Sequence, residues 1–149
     1  MLIHMRATII GWLLLILLLT AASYITSPYL GVLGDDDTAF AREYAGEMLG
    51  LLEQISVEAD KLAASPTAGN YYLDAADELG RRKQAAVHLK GDLAYDFVYA
   101  FACAEQWCRS SADALHRPQD AAEPRRAREA LARARAEFVA IGSRDYKRR

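Results

Sequence analysis

The feature that most constrains this chain is a run of twenty residues without a charge, 7–26, reading ATIIGWLLLILLLTAASYIT. As a helix it rises about 30 Å, the thickness of a bilayer's hydrocarbon core. Trp12 and Tyr24 lie near its two ends, where amphipathic rings favour the membrane interface. Arg6 and the amino terminus put positive charge before the run, and the first charges after it are Asp35, Asp36 and Asp37. The positive-inside rule therefore predicts residues 1–6 in the cytoplasm, a signal-anchor helix over 7–26 and a juxtamembrane linker over 27–37. An extracytoplasmic helical domain is expected over 38–142, with a basic tail over 143–149. The rival reading is a cleaved signal peptide, since the small residues Thr20, Ala21, Ala22 and Ser23 follow the apolar core. Apolar character continues through Ile25, Tyr29, Leu30 and Leu33, longer than a signal requires, and favours the anchor.

About 115 residues remain after the anchor and its flank, enough for one domain with a real core. Alanine is abundant there and β-branched residues are few, which favours helix over sheet. The expected fold is all-α: the membrane helix followed by an antiparallel bundle of three to four helices. Ala41, Ala45, Met48, Leu52, Ile55, Ala59 and Leu62 recur at 4-3-4-3 spacing, a heptad seam suited to coiled-coil-like packing over Thr38–Ala64. Asp37 or Thr38 is the expected N-cap. Ser65–Asn70 reads as a turn, because proline and glycine both end helices. A second helix is expected over Tyr71–Leu89, with Asp74, Asp77, Glu78, Arg81, Arg82 and Lys83 on its outer face.

At Lys90-Gly91-Asp92 two readings stand: a break with Gly91 in a left-handed cap, or one long bent helix, since Ala86, Leu93 and Phe97 keep heptad phase across it. From Leu93 to Ala104 only Asp96 is charged, and a helix apolar all round is central to its domain or lies in a subunit interface. Asp96 then needs a polar partner from another element. Asp120-x-x-Glu123 resembles a capping box before the last helix, where Ala127, Leu131, Ala134, Phe138 and Ile141 repeat the 4-3 spacing up to Gly142. The tail from Arg144 is expected to be mobile.

The formal charge of −2 hides a polarity. Residues 35–80 hold eleven acids against two bases, and residues 81–149 hold nine acids against fifteen bases. Such a split could serve an outside partner, but two halves folding on each other produce the same pattern and are the favoured reading, with acids of the first helix bordering arginines of the last. Nucleic acid is not an expected partner, because no aromatic-basic recognition motif is present.

The chain carries no motif for catalysis, cofactor binding or metal binding. Cys103 and Cys108 are five apart, about 140° around one helix and beyond disulfide reach, so buried free thiols are expected. His4, His88 and His116 lie more than a helical turn from any other histidine or cysteine, and Glu43 and Glu47 read as a solvated i, i+4 pair. The expected function is that of a non-enzymatic interaction or accessory protein of the bacterial cell envelope. Its partners are the bilayer through 7–26 and a protein, or a second copy of itself. A secreted periplasmic inhibitor or immunity-type protein and a ligand-binding helical sensor are the alternatives. The sensor is disfavoured because no second membrane helix leads back to a signalling domain.

Overall fold

A computed structural model describes residues 37–147, together with Trp12 and Leu15. The chain divides into two units, Met1–Asp35 and Asp36–Arg149. The expected membrane helix 7–26 lies outside the described residues except at Trp12 and Leu15. Among the described residues no helix is long and apolar enough to cross a membrane.

The second unit is a bundle of four helices: α1 Thr38–Lys61, α2 Ala68–Ala86, α3 Gly91–His116 and α4 Ala122–Ser143. Short connections make successive helices antiparallel, as the cross-helix pairs confirm. Lys83 and Asp77 of α2 meet Glu105 and Arg109 of α3, and Arg144, just past α4, meets Asp96 near the start of α3 while Arg133, further back in α4, lies beside Cys103. The all-helical expectation therefore holds for this unit, at the upper end of three to four helices.

The seams read from the sequence are the buried faces. Ala41, Ala45, Met48, Leu52, Ile55 and Ala59 of α1 are buried, as are Ala127, Ala134, Phe138 and Ile141 of α4. Small residues let the backbones approach, and α1 and α4 come close enough for Gly142 to face Ala45. Between them an aromatic cluster fills the centre. Phe97, Phe101 and Phe138 are fully enclosed, and Tyr44 of α1 reaches Phe97 at 5.2 Å between ring centroids. Each buried phenylalanine contributes about 1.5–3 kcal/mol through the water it sheds.

One open reading is decided and two local expectations are corrected. The chain breaks at Gly91, whose φ of +58° is open to glycine at little cost, so α2 and α3 are separate helices. The second helix begins at Ala68, not Tyr71, and takes in Gly69 and Asn70. Gly69 serves close packing there: a Cβ would collide with the His116 imidazole at the end of α3. The Asp120–Glu123 box is only half formed, because Ala121 takes the N-cap position. Asp120 accepts from the Ala122 amide at 3.0 Å, while Glu123 turns to Arg126 at 2.7 Å.

Candidate interaction face

Chemistry-bearing side chains are spread over the bundle. Among the described residues no three His, Cys, Asp or Glu side chains converge as a metal site would require. Glu43 and Glu47 are exposed on α1, His88 is exposed after α2, and His116 packs its ring on Gly69; His4 lies outside the described residues. Cys103 and Cys108 are both free and buried, as their helical spacing requires. Burial pushes the Cys108 thiol up to about 12, against the pull of nearby Arg109. Such a thiol holds its proton and is a poor nucleophile.

What remains is surface, and α3 differs from its neighbours there. Phe97, Ala100, Phe101, Ala104 and Cys108 bury its inner side. Its outer side carries Tyr95, 80% exposed, and Tyr99, 49% exposed. Ala102 and Gln106 continue this strip without a charge. The outer faces of α1, α2 and α4 are instead crowded with acids and arginines. Apolar residues all round α3 thus serve two purposes: one side is core, and the other is an uncharged aromatic strip in water.

At the foot of this strip the end of the chain is fastened down. Asp96 receives an ion pair from Arg144 at 2.8 Å and a hydrogen bond from the Tyr146 hydroxyl. Burial, then the bond to Asp96, raises the Tyr146 phenol above its usual range. Thr38 donates to Asp145 at 3.0 Å and accepts from the Tyr146 amide at 2.9 Å. The Asp37 amide donates to the Tyr146 carbonyl at 3.2 Å. Residues 144–146 are therefore a clasp across the starts of α1 and α3, which corrects the expectation of a mobile tail from Arg144. Asp37 holds the expected N-cap position of α1, but without a side-chain cap bond.

Arg82, expected on the outer face of α2, is 7% exposed. It lies in the α1–α2 seam, where Nη1 donates to the Tyr44 hydroxyl at 3.4 Å and Nε approaches Glu78 at 3.3 Å. The Nε contact is near enough for an ion pair but is not aligned as a hydrogen bond. The long aliphatic stem of arginine makes this burial possible. A second charged network joins α2 to α3, with Glu105 between Lys83 at 2.6 Å and Arg109 at 3.2 Å. Desolvation would raise the Glu105 carboxyl, but these two cations outweigh it and hold the group below its ordinary range.

No protein-family model, curated protein or solved structure matches this chain.

Proposed function

We propose that the chain is a single-pass, membrane-anchored and non-enzymatic interaction protein of the bacterial cell envelope, with residues 7–26 in the bilayer and 38–142 outside the cytoplasm. The observation that carries the interaction role is the outer strip of α3, where Tyr95 and Tyr99 stand in water and Ala102 and Gln106 continue the strip without a charge. Tyrosine suits such a face, since it brings large contact area and a polar handle at low entropic cost. The anchoring role rests on the length and uniformity of the 7–26 run and on the charge difference across it.

Membrane fractionation tests the anchor. The protein should stay in the pellet through high-salt and carbonate washes, because apolar insertion is insensitive to ionic strength while attachment through basic residues is not. Mass spectrometry of the mature chain should find residues 7–26 still attached. A mature terminus at Ser23 or Tyr24 would overturn the anchor and leave the secreted inhibitor reading.

A further inference from the structure

We infer that the outer strip of α3 is a two-fold docking face for a second copy of this chain, with the two α3 helices antiparallel. The strip has its own heptad spacing, independent of the core seam. Asp92, Tyr95, Tyr99, Ala102, Gln106 and Arg109 follow one another at 3-4-3-4-3. All six reach the surface: Asp92 and Gln106 are exposed, Ala102 is half-buried, and the Arg109 side chain is 47% exposed. From Asp92 to Arg109 the strip is about 25 Å long at helical rise.

Its chemistry is self-complementary in one orientation. The acid stands at one end and the base at the other, so an antiparallel copy brings Asp92 to Arg109 twice, once at each end, where it joins the Asp77 and Glu105 carboxylates that Arg109 already meets within its own chain. In that same register Tyr95 faces Gln106, and Tyr99 faces Ala102, a large residue against a small one. The Tyr95 hydroxyl then donates to the Gln106 carbonyl oxygen, while the Gln106 amide keeps its bond to Ser110 at 2.8 Å. A parallel copy would place like charge on like charge at both ends and tyrosine against tyrosine. Antiparallel pairing also aligns the helix dipoles favourably. This is the isologous contact of a two-fold dimer, in which every pairing occurs twice. One helix face is smaller than a standard interface of about 800 Å² per partner, so the dimer is expected to be weak and concentration-dependent. The contact does not depend on the anchor.

Cross-linking of full-length protein in its native membranes tests the register. Two differently sized forms carrying Tyr95→Cys or Gln106→Cys, both with Cys103→Ala, are expressed singly and together and then mildly oxidised. Only the co-expressed pair should cross-link. Self-cross-linking of Tyr95→Cys chains would mean parallel pairing, and no cross-link in any sample would mean no dimer through this face; either overturns the proposal. In detergent extracts, Asp92→Arg should weaken dimerisation about tenfold, since two weak surface attractions become repulsions. Asp92→Arg combined with Arg109→Asp should restore it. Circular dichroism on the same samples shows whether each variant keeps its helices, and a folded Asp92→Arg variant that dimerises like wild type counts against the pairing.

Discussion

Asp96 brings a negative charge to the least charged helix of the domain and is met there by Arg144 and Tyr146. That it needed partners from elsewhere follows from the cost of burying an unpaired carboxylate, and this much was legible in the sequence. Which residues would answer was not, because they lie about fifty positions away in a tail whose composition suggests solvent. Arg82 failed for the opposite reason: its neighbours in sequence are charged and exposed, and only the tertiary seam with Tyr44 makes its burial intelligible. Cys108 behaved as its spacing implied, and its environment has a consequence for pH. A folded-state value near 12, above the ordinary 9, means that the folded protein keeps a proton the unfolded chain gives up. Its contribution is fully present below about pH 9 and is lost as pH rises through the folded value. Urea midpoints taken between about pH 8 and 11 should fall less steeply for Cys108→Ala than for wild type, although the variant starts lower because it leaves a cavity. Equal slopes would show that the thiol does not titrate in this way.

At the level of helices, the 4-3 spacing identified most buried positions of α1 and α4, missing Leu51, Glu123 and Ala130, because periodicity is a local signal that tertiary context largely preserved. Their pairing was also foreseeable from charge, and Glu53 meets Arg135 at 3.2 Å along one rim. The partners differ in detail from the expected ones. Arg133 lies beside Tyr99 and Cys103 of α3, since α4 is flanked by two helices and its arginines divide between them. A double-mutant cycle on Glu53→Arg and Arg135→Glu should give a coupling of about 0–1 kcal/mol, with the double reversal recovering most of what either single change loses. No recovery would mean that the rim charges are indifferent to each other. The break at Gly91 was undecidable from sequence because core phase runs through it; a turn that preserves phase leaves no trace in the hydrophobic pattern.

For the whole molecule, the clasp ties the last described residues to the first ones of the bundle. Removing the Asp96 charge with Asp96→Asn should cost roughly 1–3 kcal/mol in denaturant unfolding, as a charged hydrogen-bonded pair is lost from a partly buried site. Trypsin should then cut after Arg144 markedly faster, while Tyr146→Phe should show a smaller change because the ion pair survives. Cleavage unchanged in Asp96→Asn would mean that the backbone bonds to Thr38 and Asp37 hold the tail alone. The clasp also governs how the domain carries tension. Its entry and exit points touch, with the Asp37 amide 3.2 Å from the Tyr146 carbonyl. A pull between Asp37 and Tyr146, the two ends of the bundle, therefore does not stretch it along its axis. It loads a few hydrogen bonds and one ion pair at one end, and α1 and α4 then peel apart turn by turn like a zip, whereas the same pull applied at opposite ends would have to shear the whole aromatic core at once.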